Sequence, residues 1–146
     1  MKKNTLAFIV CLSLFLLNAC AKNLKNVEAE TLAKASVSWD GQALPAYPQG
    51  QPEITILRIK IPAGAKLAMH KHPVINAGVM LSGELTVITE KNETLHLKAG
   101  DSIIEVVNKW HYGKNESDTT AEIIVFYAGI FNRPITIKSQ GETENK

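Results

Sequence analysis

Between residues 37 and 139 the chain runs in short stretches of Val, Ile and Leu broken by Gly, Pro, Asn and Asp. That is the punctuation of strands joined by tight turns. Residues 54–61 are predicted as a long strand stopped by Pro62, Ala63 and Gly64, and residues 67–72 as a second, closed by Pro73. Residues 77–81 follow, with Ser82 and Gly83 turning into 84–89; Lys91 and Asn92 then turn into 94–97. Gly100 and Asp101 open a strand at 102–107, and after a loop at Asn108 come 110–113, 121–128 and 135–138. No stretch between them carries the apolar period of a long helix. Many short strands at regular spacing predict an all-β fold, a single sandwich or barrel.

The pattern changes at both ends. Residues 6–17 are an almost unbroken apolar run behind Lys2 and Lys3. Such a run is too short for a membrane span, and with its basic start reads as a secretory signal over residues 1–19. Its end, Leu17-Asn18-Ala19-Cys20, resembles the lipobox of bacterial lipoproteins, although Asn18 is less usual there than a small residue. The resemblance implies lipid attachment at Cys20 and anchoring to a membrane without spanning it. Ala21 in place of aspartate implies the periplasmic face of the outer membrane in Gram-negative families. A cleaved, soluble periplasmic protein is the alternative. Residues 20–36 are polar and read as a tether, in which one helical turn near 27–35 could form. Residues 37–139 are left for the barrel, and residues 140–146 for a frayed polar tail.

Composition narrows the chemistry. With 45% apolar and 21% charged residues the chain can build an ordinary core. Once Lys2 and Lys3 leave with the signal, acidic and basic residues balance, and no basic stripe suggests nucleic acid. Of the two cysteines, Cys11 leaves with the signal and Cys20 carries lipid. Thiol nucleophiles, thiol redox chemistry and cysteine-ligated zinc are thereby excluded.

The histidines change the picture most. Two of the four stand as His70-Lys71-His72, and residues two apart on a strand share a face. In a closed barrel that face is the interior, and paired neutral imidazoles are ready metal ligands. Two surface histidines on an edge strand would give the same pattern, so the pair alone does not choose. Its surroundings add more. Five residues separate Gly64 from His70, three separate His72 from Asn76, and six separate Asn76 from Gly83. Ten residues separate Gly100 from His111, and three more separate His111 from Asn115.

These spacings, over about residues 53–128, resemble the two motifs of the cupin superfamily. The resemblance implies a jelly-roll barrel, the double-stranded β-helix, with a divalent metal ion (Fe, Mn, Zn or Ni) held by His70, His72 and His111. Asn76 stands where the first motif has its glutamate, so the usual anionic ligand is missing; its amide oxygen is a candidate weak ligand, or orients a water. Val106 and Asn108 replace the second motif's proline and glycine, which is expected to change the loop before His111. Three neutral imidazoles leave the ion's charge uncompensated and make it a stronger Lewis acid. A cupin that has lost its metal is the alternative, but burying three unliganded imidazoles costs desolvation.

Other residues are candidates for lesser roles. His96, between two leucines, is expected to face solvent. Glu105 could point inward as a base, but the apolar residues on both sides of it leave its face undecided and favour the surface. Trp110, Tyr112 and Phe126 are candidates for a pocket mouth, although aromatics in β-proteins are more often core. Met69 and Met80 are expected in the core, and Asn115 is expected to fix a loop. Lys66, Lys71 and Lys109 near the motifs would suit a small anionic substrate. No nucleophile elbow, phosphate loop or dinucleotide fingerprint is present. The expected function is that of a metal-binding lipoprotein acting on a small-molecule ligand, with oxygenase, isomerase and lyase chemistries all open to such a site. A non-catalytic module that senses or captures a metal or small ligand is the alternative. The resemblance also implies a homodimer paired through edge strands.

Overall fold

The computed structural model describes residues 26–140. Residues 1–25, with the expected signal and Cys20, and residues 141–146 lie outside the described residues. Among the described residues no helix is long and apolar enough to cross a membrane.

Nine strands form in chain order: β1 (Pro52–Ile61), β2 (His70–Lys71), β3 (Ile75–Ser82), β4 (Glu84–Thr89), β5 (Thr94–Lys98), β6 (Ser102–Ile104), β7 (His111–Lys114), β8 (Ala121–Ile130) and β9 (Ile137–Lys138). They make two antiparallel sheets, one in the order β1-β8-β3-β6 and the other β5-β4-β7-β2-β9. The all-β expectation holds. β1 and β8 each run two residues past the expected limits at one end, because they pair in unbroken register from Pro52↔Ile130 to Ile61↔Ala121.

Alternation along the strands builds the core. In β8 Ala121, Ile123, Val125 and Tyr127 point inward, and in β3 Asn76, Gly78 and Met80 do. They meet Ile61, Leu85, Val87 and Ile103 between the sheets. Fully burying a side chain such as Ile61 or Met80 contributes about 1.5–3 kcal/mol. Met69, expected in the core, is only half-buried.

The strands expected at 102–107 and 135–138 shorten to β6 and β9, and two further local expectations are corrected. The strand expected at 67–72 enters the ladder only at His70–Lys71. Lys66 bridges Lys114 and His70 pairs with His111, so four steps on one side face three on the other. The extra residue bulges, as one-residue insertions in a ladder do. No helical turn forms near 27–35. That stretch has no apolar stripe to bury, and the Ser102 hydroxyl donates to the Leu32 carbonyl at 2.7 Å, docking it onto the barrel. The chain then makes a small hairpin bridged by Val37 and Ala43, and the Trp39 N–H donates to the Ile104 carbonyl at 2.9 Å.

Candidate metal centre

Sheet register brings the histidines together. His70 and His111 are direct cross-strand partners between β2 and β7, and such partners have Cβ atoms about 5 Å apart. His72 shares the face of His70 and bridges Val107, while the Asn108 N–H donates to the His72 carbonyl at 2.8 Å. The ring centroids lie 5.0 Å (His70–His72), 4.5 Å (His70–His111) and 5.1 Å (His72–His111) apart. One ligand atom from each ring falls within 4.8 Å of the others.

Each ring is locked from behind by a backbone carbonyl. Nδ1 of His70 donates to Ala68 at 2.8 Å, that of His72 to Ile135 at 2.8 Å, and that of His111 to Lys109 at 2.9 Å. A carbonyl only accepts, so each neutral ring carries its proton on Nδ1 and keeps a lone pair on Nε2. Burial lowers all three proton affinities, that of His72 to about 4. Near neutral pH the three rings are therefore uncharged and able to ligate.

The donor set fits a cation. His111 Nε2 and Asn76 Oδ1 are buried acceptors without a hydrogen-bond partner. Such groups are costly when left alone, and a divalent ion satisfies an imidazole lone pair directly. The cavity they line has a volume of about 60 Å³. It is otherwise walled mainly by aliphatic side chains from both sheets, with Tyr127 at its edge 5.3 Å from the His72 ring.

Glu105 corrects the surface expectation. It is 9% exposed, lines this cavity, and places Oε2 3.7 Å from His111 Nε2. Burial raises its carboxyl to about 7, against the opposing pull of the Val106 N–H, the neighbouring His70 imidazole and the Trp39 indole. The signal was parity: Ile103 faces the core, so Glu105 does too. The buried Val106 on the other side hid it, because the chain leaves the ladder there and is covered on both faces. Tyr127, passed over in the sequence, was legible by the same parity with Ile123 and Val125. Burial raises its hydroxyl to about 12.

Other candidates lie elsewhere. Trp110 and Tyr112 flank His111 in sequence and do not line the cavity; Lys71 stacks on Trp110 at 4.8 Å and Lys66 on Tyr112 at 4.3 Å. Phe126 is 42% exposed on the outer face, so it is neither core nor pocket mouth. Lys109 pairs with Asp40 and Glu93. None of the three lysines reaches the cavity, which removes the reason for expecting an anionic substrate. His96 is exposed, with Nδ1 3.0 Å from the Thr86 hydroxyl. Asn115 is buried and ties a loop through the carbonyls of Ile61, Pro62 and Thr119. Asn108 takes φ +57°, left-handed backbone that asparagine adopts more readily than most residues. The loop thus keeps a glycine-like turn without a glycine.

A two-sheet β-barrel with three inward histidines from two separate stretches has the architecture of a metal-site jelly roll. The family model described as "Cupin domain" matches residues 57–127. Residues 57–127 are thus those of a cupin domain, and the two sheets carry the cupin fold. Among solved structures, DMSP lyase DddQ from Ruegeria pomeroyi DSS-3 is similar at TM-score 0.54 and 21% identity, over 62% of this chain and 45% of that one. An oxalate oxidase in complex with the substrate analogue glycolate is similar at TM-score 0.50 and 22% identity, over 58% and 45%. The Lactobacillus farciminis oxalate decarboxylase formate complex is similar at TM-score 0.50 and 19% identity, over 58% and 26%. This chain spans less than half the length of each, and the likeness is one of fold. No curated protein matched the chain.

Proposed function

We propose that this protein is an envelope lipoprotein whose barrel binds a divalent metal ion through His70, His72 and His111 and uses it on a small molecule. One observation carries the metal reading: three imidazoles, each fixed at Nδ1 by a carbonyl, bring ligand atoms within 4.8 Å of one another. The bound ion would supply Lewis acidity and acidify a water or a chelating ligand. The chain's own part is to hold the rings neutral and aimed, to exclude bulk water with apolar walls, and to keep the Glu105 carboxyl within reach of a proton at the site. Solved structures of similar fold include a lyase, an oxidase and a decarboxylase, so the fold selects no reaction.

The cavity's size favours a second reading. At about 60 Å³ it is well below the roughly 300 Å³ at which pockets for drug-sized ligands begin. That suits capture of the ion together with a very small ligand.

Elemental analysis of tag-free protein, gently purified and then loaded with Zn²⁺, Mn²⁺, Fe²⁺ or Ni²⁺, tests the metal reading. We expect about one ion per chain, lost in His72→Ala; a stoichiometry near zero in the parent protein refutes it. Oxygen uptake with small diols, thiols and diketones then separates an oxygenase from a binder. Labelled palmitate should enter the protein, and Cys20→Ser should abolish the label; equal labelling of both refutes the anchor.

A further inference from the structure

We propose that Glu105 is the anionic ligand of this site, the carboxylate having moved across one strand pair from the position that Asn76 occupies. The inference rests on the metal reading above and goes beyond it, since three imidazoles bring no negative charge to a divalent ion.

The register shows how the exchange works. In the β3–β6 pair Ala77 opposes Ile104, Gly78 opposes Ile103, and Val79 opposes Ser102. One step further, Asn76 opposes Glu105, and the pairing continues there because the Glu105 N–H donates to the Asn76 carbonyl at 3.1 Å. Directly opposed residues project from the same face with Cβ atoms about 5 Å apart. A carboxylate can therefore leave β3 and return on the neighbouring strand while still entering the same cavity. Both side chains line it, and both are buried.

The distance is close to what a shared ion needs. Two atoms that each lie about 2.1 Å from one ion stand roughly 3.0–3.6 Å apart for angles between 90° and 120°. Glu105 Oε2 is 3.7 Å from His111 Nε2, and that nitrogen has no hydrogen-bond partner. The carboxylate is held only lightly, by the Val106 N–H at 3.2 Å. The Trp39 indole N–H, carried by the hairpin at 37–43, lies beside the carboxylate and is itself a buried donor without a hydrogen-bond partner. A carboxylate buried in the cavity that the three imidazoles line, with little to hold it elsewhere, is placed to coordinate.

Zn²⁺ affinity by calorimetry and the visible spectrum of the Co²⁺-loaded protein test this without any substrate. Glu105→Gln keeps the side chain's shape and removes its charge. We expect about a tenfold or greater loss of Zn²⁺ affinity and a shifted Co²⁺ band. Adding Asn76→Glu to that variant should return affinity to within a few fold of the parent. An unchanged affinity and spectrum in Glu105→Gln overturns the inference while leaving the three-histidine site intact. A parent protein that binds no Zn²⁺ overturns the proposed function with it. Should Glu105→Gln fail to fold, the infrared difference spectrum of the parent protein with isotope-labelled glutamate decides. A carboxylate band that moves on adding Zn²⁺ supports ligation, and bands that stay still overturn it.

Discussion

Replacing Asn115 separates what holds the barrel together from what holds the ion. Its side chain is 1% exposed. Nδ2 donates to the carbonyls of Ile61 at 3.0 Å, Pro62 at 3.1 Å and Thr119 at 2.7 Å. Oδ1 accepts from the Ser117 N–H at 3.1 Å and its hydroxyl at 2.8 Å. Two N–H bonds serve three acceptors, so one is shared, and the residue ties the loop after β7 to the corner that ends β1. In Asn115→Ala the carbonyls of Pro62 and Thr119, on exposed residues, can turn to water. The Ile61 carbonyl stays inside, and a buried acceptor left unpaired costs about 1–3 kcal/mol. Losing the Ser117 contacts adds about 1 kcal/mol. The expected loss is about 3 kcal/mol, which for a domain of this size lowers Tm by more than about 10 °C. Urea unfolding of the metal-free protein measures it. Zn²⁺ affinity should stay within about threefold, because no ligand contacts Asn115. A loss below about 1 kcal/mol, or a larger fall in affinity than in stability, would refute this account.

Metal should also register in stability. Zn²⁺ at about 1,000 times its Kd adds about 4 kcal/mol by mass action, so chelation should lower Tm, and His111→Ala should erase the metal-dependent shift; a shift that survives in that variant contradicts the site. Gly83 and Gly100 form a matched pair. Gly83 has φ +70° and an added Cβ would meet Ala121 Cα at 2.7 Å, whereas Gly100 has φ +90° with nothing within 4 Å. Gly83→Ala should cost about 3 kcal/mol or more and Gly100→Ala about 1–2 kcal/mol; equal losses on urea unfolding would show that the contact does not matter. Asp40 gives a pH signature. Burial raises its carboxyl, but hydrogen bonds from Lys109, Ser38 and the Gln42 N–H outweigh this and hold it below its ordinary 3.8. A lowered folded value stabilises above the unfolded one and is lost as pH falls through the folded value. Asp40→Asn should therefore cost about 2 kcal/mol at pH 7 and progressively less below about pH 4; a difference independent of pH contradicts the ion pair.

How much of this was legible varies from residue to residue. β4 and β5 stand nearly where their apolar runs and the Lys91-Asn92 turn place them, because each strand is bounded by residues that favour turns. Asn92 takes φ +62°, as a tight turn requires. The common face of His70 and His72 follows from the two-residue period of a strand. The same period, counted from His111, puts Trp110 and Tyr112 on the opposite side, a signal that was available and not used. Glu105 was harder, since Val106 beside it is buried as well and erases the alternation.

By itself the sequence determined the strands, their turns, the superfamily resemblance and which histidines to watch, because these depend on neighbours within a few residues. Tertiary structure decided that His70 faces His111, that the Ile135 carbonyl orients His72, and that a glutamate lies opposite Asn76. Those relations depend on register between segments distant in the chain. The buried face and the turns set register between strands joined by a hairpin, but β2 and β7 share no turn, so only the packed sheets bring His70 opposite His111.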